Sequence, residues 1–321
     1  MNKEGRIIIS ALITISLVGI LLTQIDLNEA LSLLFSISPL WLLIGFAFYS
    51  LGYLLRSIRF SFLLTGKARV RDLFPIVCVH YLTNNILPAR TGELTYIYLV
   101  KKLQKIQVSE GISSLTIARF FDFISITFLF ILSAFLAEDV PLVVEDTLYY
   151  VSIAACLLIA VFVFLVYKSD AFISLPNWVI QKTGLHQFNA IVFIQGKLVE
   201  TLTNLRVLRS KRLIFHCLWT SALTWLCIYL MTYSILKGLG FNLSIFLVIL
   251  GSTISVFTNI LPIPSIGAFG VYEGAWAVAF ISLGVDKEAA IASGFVAHLA
   301  LLIFSVILGG IGSIKLGYLR R

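Results

Sequence analysis

The sequence predicts an all-α polytopic membrane protein with about six spanning helices and two broken, re-entrant helical hairpins related as an inverted repeat. Hydrophobic residues make up 59% of the 321-residue chain, and charged residues make up only 12%, about half of their share in soluble domains. Several apolar stretches reach the roughly 20 residues that a helix needs to cross a bilayer. Two more apolar stretches contain proline, glycine and carboxylates, which predicts that their helices are broken.

Six stretches are predicted to span the membrane. They are residues 7–23, 39–63, 113–137, 147–167, 213–237 and 290–314. The first of them follows a basic N-terminus and resembles a secretory signal peptide, but no cleavage site of small residues follows it. We therefore interpret this stretch as a retained first span.

The two interrupted stretches, residues 73–100 and 243–283, share a short motif. The run Asn-Ile-Leu-Pro occurs at 85–88 and again at 259–262, and a Glu and a Gly follow each copy. Broken helices persist at membrane depth only where protein or a watery cavity satisfies the freed backbone groups. Because broken helices in corresponding halves of a chain indicate a transport site, the repeat predicts one here.

The distribution of charge predicts the topology. Basic residues flank the stretch 73–100 on both sides, whereas the loops 24–38 and 138–146 contain acidic residues without Lys or Arg. Cytoplasmic loops are enriched in Lys and Arg, so 73–100 is expected to enter from the cytoplasm and return there. The stretch 243–283 must then enter from outside. The resulting expectation is a cell (inner) membrane protein with cytoplasmic N- and C-termini.

We predict a single transmembrane domain over residues 1–321, with repeat halves at roughly 39–137 and 213–314. The connecting loop 168–212 is basic, and its apolar residues recur at helical spacing, which predicts an amphipathic helix on the inner membrane face. The formal net charge of +8 agrees with the positive-inside pattern of short loops, which argues against nucleic acid as a partner.

The first interrupted stretch contains two candidate substrate-binding residues, Arg90 and Glu93. They follow the proline and lie at the start of the second half-helix, where unpaired N–H groups and a partial positive charge suit an anion. The planar guanidinium of Arg90 can also hold a phosphate with two hydrogen bonds. The alternatives are that Arg90 pairs with Glu93, or that Arg90 reaches the cytoplasmic headgroups.

Two further arginine sites lie in predicted spans. Arg119 and Asp122 are three residues apart, which places them on one helix face as an ion pair. This pair either packs its span against neighbouring helices or orients Arg119 toward a phosphate. Arg56 and Arg59 lie at the inner end of the second span, where we expect them to extend to the lipid headgroups, with a role in substrate access as the alternative.

The second interrupted stretch contains one carboxylate, Glu273. It is expected either to act in the site or to stabilise the N-terminus of its own half-helix. In the site it would pair with an arginine across the repeat interface, take up a proton or recognise a cationic headgroup. Asn85 and Asn259, with Asn84, are expected to bond to the backbone of the broken helices, and substrate contact is the alternative. His80 and His298 are interpreted as hydrogen-bonded interior residues.

The sequence shows no P-loop, GxGxxG, HExxH or CxxC motif. We therefore predict a protein that is not an enzyme and that holds no cofactor and no metal. Two acidic pairs, at 138–139 and 145–146, leave open a divalent-metal site in a membrane-embedded transferase that acts on isoprenoid phosphates.

Three longer motifs resemble a known family. They are Asn-Ile-Leu-Pro-Ala-Arg-x-Gly-Glu at 85–93, Ser-x-x-x-Ile-Ala-Arg-Phe-Phe-Asp at 113–122 and Pro-x-x-Gly-x-x-Gly-x-x-Glu-Gly at 264–274. Together they resemble the lysylphosphatidylglycerol synthase transmembrane region, a flippase-like integral membrane family also called UPF0104. One departure is Thr95, where the family pattern favours a basic residue.

This resemblance implies an inner-membrane protein that moves a lipid or a lipid-linked sugar between leaflets. It also implies membrane lipids as partners, together with a separately encoded lipid-modifying or glycosyltransferase enzyme. In two-domain relatives a soluble aminoacyl-transferase domain follows the membrane part. The chain stops at Arg321 without one, so we do not expect lysyl transfer by this polypeptide.

The resulting hypothesis is a lipid translocator in which Arg90 and Arg119 receive an anionic headgroup phosphate. Glu93 and Glu273 would balance those charges or take up protons. Three alternatives remain open: a transporter of a small soluble anion, the isoprenoid-phosphate transferase, and an accessory subunit that acts through the loop 168–212.

Overall fold

The structure is a computed structural model, and it describes residues 14–24, 32, 36–87, 91–137, 149–150, 152–153, 156–157, 159–160, 210–258 and 265–318. Within these ranges the secondary structure is helical, without strands. Four of the helices are long and apolar enough to cross a membrane. The protein is therefore an all-helical membrane protein with several apolar helices.

The first half, taken here as residues 39–137, contains four helices among the described residues. They are α1 (Pro39–Leu63), α2 (Val70–Ile86), α3 (Glu93–Gln104) and α4 (Val108–Leu136). Helices α1 and α4 are of spanning length, with 25 and 29 residues. Helices α2 and α3 occupy the first interrupted stretch and contact each other. The predicted break in this stretch is confirmed, since regular helix stops at Ile86 and resumes at Glu93.

The second half, taken as residues 211–318, also contains four helices among the described residues. Its helices are α5 (Lys211–Gly238), α6 (Ile245–Thr258), α7 (Val271–Ser282) and α8 (Lys287–Tyr318), with a 3-10 turn at Ile266–Ala268. Helices α6 and α7 contact each other, so this stretch is broken as well. Gly267 and Gly270 adopt φ values of 59° and 81° between them, a left-handed conformation that glycine reaches without steric cost.

The two halves pack against each other along antiparallel helices. At one end of the α1–α5 contact, the Ser38 N–H donates to the Gly238 carbonyl at 3.0 Å. At the other end, the rings of Phe62 and His216 stack with centroids 4.3 Å apart. Helix α2 likewise contacts α8, and α4 contacts α6. Each broken segment therefore packs against a long helix of the opposite half.

Four of the six predicted spans are confirmed as α1, α4, α5 and α8. Helix α4 begins five residues before the predicted boundary, because its first turn contains Ser109 and Glu110, which a hydropathy pattern places in a loop. Of the predicted first span, residues 14–23 are described, and residues 14–22 are helical. The rest of that span and most of 147–167 lie outside the described residues. The acidic loop 138–146 and the amphipathic segment up to residue 209 lie outside them too.

Candidate functional site

A cavity of about 320 Å³ lies between the two halves. Its polar lining residues include Arg56, Asn84, Asn85, Arg119, Asp122 and His298. Its apolar lining residues include Phe123 and Ile126 of α4, Ile228 of α5 and Val256 of α6. The cavity is therefore amphipathic, with walls contributed by both halves.

Arg119 on α4 pairs with Glu93 in the first turn of α3. Its Nη2 and Nε atoms donate to Glu93 Oε1 at 3.0 and 3.2 Å. Both side chains are partly accessible, with exposed fractions of 28% and 31%. The predicted pair between Arg119 and Asp122 is wrong, because each residue has its ion-pair partner on a different helix. The carboxylate of Glu93 thus connects the first turn of α3, which follows the break, to α4.

Asp122 pairs instead with Arg59 of α1. The guanidinium Nη1 and Nη2 donate to the two carboxylate oxygens at 2.5 and 3.2 Å. The Nη1 group also donates to Ser221 Oγ, and Trp225 Nε1 donates to Asp122 Oδ1 at 2.9 Å. Arg59 is fully buried, so the expectation that it extends to the headgroups is wrong. This network joins α1, α4 and α5 in the protein interior.

Glu273 lies in the first turn of α7 and is fully buried. Its Oε2 accepts the Gly270 N–H at 2.7 Å, and its Oε1 lies 2.6 Å from His298 Nδ1 on α8. The first contact supports the interpretation that Glu273 stabilises the N-terminus of its own helix. The second pairs it with a histidine, whereas the sequence had suggested an arginine as its partner.

The same pair of contacts occurs in both halves. In the first, Glu93 pairs with Arg119, and Tyr96 Oη lies 3.1 Å from Ser114 Oγ. In the second, Glu273 pairs with His298, and Trp276 Nε1 donates to Ser293 Oγ at 3.2 Å. The aromatic residue follows the glutamate by three positions in both copies, and the serine precedes the basic residue by five. This matched spacing is a signal that the sequence reasoning missed.

Arg56 of α1 is held differently from the other two arginines. Its guanidinium carbon lies 3.9 Å from the centre of the Tyr81 ring. The side chain lines the cavity, yet the residue is only 7% exposed, so the expectation that it reaches the headgroups is also wrong. Its Nε atom is buried without a hydrogen-bond partner, and no carboxylate within the described ranges forms an ion pair with it.

The polar residues around the first break make contacts with other helices and with the break itself. Asn85 Nδ2 donates to Ser305 Oγ at 3.1 Å and to Tyr49 Oη at 3.4 Å, so its predicted bond to backbone is replaced by bonds to side chains. His80 Nδ1 lies 3.2 Å from the Gly92 carbonyl, and His298 pairs with Glu273, which confirms both as hydrogen-bonded interior histidines. Arg90 and Asn259 lie outside the described residues.

Among the described residues, no group of three or more His, Cys, Asp or Glu side chains is arranged to hold a metal ion. The acidic pairs at 138–139 and 145–146, which the transferase alternative requires, fall outside those residues.

The chain is similar to a known protein family and to a curated glycosyltransferase. The model of a family described as the lysylphosphatidylglycerol synthase TM region matches residues 7–309. The chain is also 25% identical over 129 residues to a glycosyltransferase, AglD, of Haloferax volcanii, a match that covers 39% of this chain and 21% of that protein. The chain thus matches about a fifth of the length of this curated relative. No solved structure matches the chain.

Proposed function

The chain belongs to the family of the lysylphosphatidylglycerol synthase transmembrane region, and from this premise we propose that it moves an anionic phospholipid or a lipid-linked sugar between the leaflets of a membrane. The observation that carries the proposal is the amphipathic cavity between the two halves. At about 320 Å³ it is at the lower end of the range for small-molecule sites. A headgroup would occupy it while the acyl chains remain in the bilayer.

We further infer that the two halves form an inverted repeat, as lipid movement through a site between them would require. Pairing α1 with α5, α2 with α6, α3 with α7 and α4 with α8 maps the contacts of one half onto those of the other. For example, α2 packs on α8 as α6 packs on α4. Because the equivalent helices α1 and α5 are antiparallel, the halves would have opposite orientations in the membrane. Such repeats permit alternating access to a site between them.

The positions of basic residues support a re-entrant first segment. Arg69 and Arg71 lie at the start of α2, and Lys101 and Lys102 lie in the last turn of α3. Under the positive-inside rule both ends of the α2–α3 segment would face the cytoplasm. We accordingly propose an inner-membrane protein whose termini both lie in the cytoplasm.

In this proposal the arginines that line the cavity receive the headgroup phosphate, because guanidinium groups form short charge-assisted hydrogen bonds with phosphate oxygens. Arg119 is oriented by Glu93, and Arg90 is assigned a second contact from the break. Glu273 and Glu93 balance the local charge. The chain itself would make and break no covalent bond. A separately encoded glycosyltransferase or other lipid-modifying enzyme is proposed as the functional partner.

Reconstitution into vesicles tests the proposal. Purified protein is placed in phosphatidylcholine vesicles with trace tail-labelled lipids of different headgroups, and transbilayer movement is followed by quenching of the outer leaflet. We expect an anionic lipid to move faster than in protein-free vesicles and Arg119→Ala to slow it. Arg71→Ala, at a side chain that is 76% exposed, is the matched control. Movement of every lipid at the protein-free rate would overturn the proposal.

The partial exposure of the Arg119–Glu93 pair favours one alternative, a transporter of a small soluble anion, because both charged side chains are accessible from outside the protein interior. Uptake of radiolabelled phosphate or glycerol phosphate into the same vesicles, without movement of any lipid, would favour that alternative.

A further inference from the structure

We propose that the cavity selects lipids with a single phosphodiester, and therefore one negative charge, and that Arg56 supplies the contact that selects them. This inference rests on the proposed lipid movement. It adds the charge of the headgroup, and it adds Arg56, which lies outside the three sequence motifs, as the residue that recognises it.

The first step is the geometry of Arg56. Its guanidinium lies 3.9 Å from the centre of the Tyr81 ring and 5.4 Å from that of Tyr53. A cation over an aromatic face is attracted by the ring, which fixes the plane of the guanidinium while its N–H groups stay available. The Nε atom is buried without a partner, and the residue contributes to the cavity wall, so the guanidinium has hydrogen-bonding capacity left beside the cavity.

The second step is the balance of charge on this side of the cavity. Two arginines, Arg59 and Arg119, have a carboxylate each, namely Asp122 and Glu93. Arg56 has none within the described ranges. A buried cation without a counter-charge is costly, and one anionic group in the cavity would neutralise it. A phosphodiester carries that single charge.

The third step concerns headgroups with more charge. A pyrophosphate carries at least two negative charges, of which Arg56 would balance one. The surplus would lie near Asp122, whose carboxylate also lines the cavity. The cavity wall contains Arg56 and Arg119 and no other arginine among the described residues. Under the proposed function Glu273 balances Arg90, so that arginine is not left over for a second phosphate charge. The cavity is thus expected to disfavour pyrophosphate-linked lipids.

A second polar group in the lining is consistent with a bound headgroup. Asn84 contributes to the cavity wall, and its Oδ1 atom is buried without a hydrogen-bond partner. Buried polar atoms are normally satisfied. The Asn84 amide is therefore a candidate for a second contact with the headgroup.

The experiment compares three tail-labelled lipids with identical acyl chains in reconstituted vesicles. One has a phosphodiester headgroup, one has a pyrophosphate headgroup, and one is an uncharged glycolipid. Wild type is compared with Arg56→Gln, Arg56→Lys and the control Arg71→Gln. Competition with soluble dimethyl phosphate at the same face distinguishes recognition of a lipid headgroup from recognition of any phosphodiester in solution.

We expect wild type to move the phosphodiester lipid at least about tenfold faster than the pyrophosphate lipid. Arg56→Gln should slow the phosphodiester lipid by about tenfold or more, the loss expected for one charge-assisted hydrogen bond, and leave the glycolipid rate unchanged. Arg56→Lys keeps the charge but loses the planar fork, so an intermediate rate is expected. Tyr81→Leu, which removes the stacked ring without changing charge, should also slow the phosphodiester lipid.

Some outcomes would overturn the inference and leave the proposed function in place. They are equal wild-type rates for the phosphodiester and pyrophosphate lipids, or an Arg56→Gln variant that folds and matches Arg71→Gln. If Arg56→Gln does not fold, equal rates in wild type and Tyr81→Leu would overturn the role of Arg56. Transport of dimethyl phosphate itself would show that the site recognises a phosphodiester in solution, and it would overturn the assignment of a lipid headgroup as the ligand. Failure of wild type to move any lipid would overturn the proposed function as well.

Discussion

Gly52 on α1 faces Cys227 on α5, and a Cβ atom at position 52 would lie 3.8 Å from the Cβ atom of Cys227. This separation is within the range of about 3.5–4.5 Å found in disulfides. The contact reports directly on the packing of α1 against α5.

The first prediction is that Gly52→Cys forms an intramolecular disulfide with the native Cys227 on mild oxidation. Mass spectrometry of the digested protein should find the two peptides joined. The control is the same substitution with Cys227→Ser, in which the joined peptide should be missing. A folded Gly52→Cys protein that stays reduced at this pair would contradict the packing of α1 on α5.

The second prediction concerns the buried pair of Arg59 and Asp122. Arg59→Met leaves a buried carboxylate without its cation, and removing one partner of such a pair typically costs about 3–5 kcal/mol. We expect a correspondingly large fall in the free energy of unfolding, measured by denaturant titration in detergent micelles. The double variant Arg59→Met/Asp122→Leu should recover most of it, because neither charge then remains buried.

A matched control for this prediction is Lys67→Met. The pair of Lys67 with Glu110 has a donor–acceptor distance of 2.6 Å, but its side chains are 53% and 25% exposed. Such surface pairs contribute about 0–1 kcal/mol. Similar losses in Lys67→Met and Arg59→Met would show that the buried network is not the stabilising element.

The third prediction concerns the close packing of α8 on α2. A Cβ atom at Gly312 would lie 2.8 Å from both the Pro75 carbonyl oxygen and the Cys78 Cβ atom. Gly312→Ala should therefore force the helices apart, at a cost of about 1–3 kcal/mol for overpacking. Gly310 lies on the same helix with nothing within 4 Å of such an atom. Gly310→Ala should leave the unfolding midpoint unchanged or raise it, and a fall equal to that of Gly312→Ala would refute the explanation.

The fourth prediction compares the two equivalent glutamates. Glu93 is 31% exposed in its side chain, whereas Glu273 is fully buried. Glu93→Ala should lower the free energy of unfolding by about 1 kcal/mol or less. Glu273→Ala leaves the Gly270 N–H and His298 without their acceptor, at about 1–3 kcal/mol for each unsatisfied group. Unfolding titrations that rank the two variants in the opposite order would contradict this reading of their burial.

Much of the helical framework was predictable, because apolar length and charged loops are local properties of the sequence. The predicted span 39–63 coincides with α1, and 213–237 differs from α5 by two residues at its start and one at its end. The breaks were predictable for the same reason, since proline and glycine act on their own turn of helix. The start of α4 was not predictable in the same way, because tertiary packing decides whether the polar residues of its first turn are helical.

The partners of the charged residues were not predictable from spacing. The three-residue separation of Arg119 and Asp122 suggested a pair within one helix, but the partner of Asp122 is Arg59, 63 positions away. Arg59 seemed placed to extend to the headgroups until tertiary packing brought a carboxylate, a serine and an indole around it. The repeated spacing of residues in the α3–α4 and α7–α8 contacts was the sequence signal from which the partners of Glu93 and Glu273 could have been predicted.

The antiparallel contact of α1 and α5 has a consequence for how the chain is made. If the halves form an inverted repeat, the translocation machinery must insert two similar segments in opposite directions. Their shared helical pattern cannot encode that difference. The instruction has to lie in the flanking loops, where lysines and arginines retain one end of each span in the cytoplasm. The loop charges would thus govern biogenesis, and the buried charges would govern the finished site.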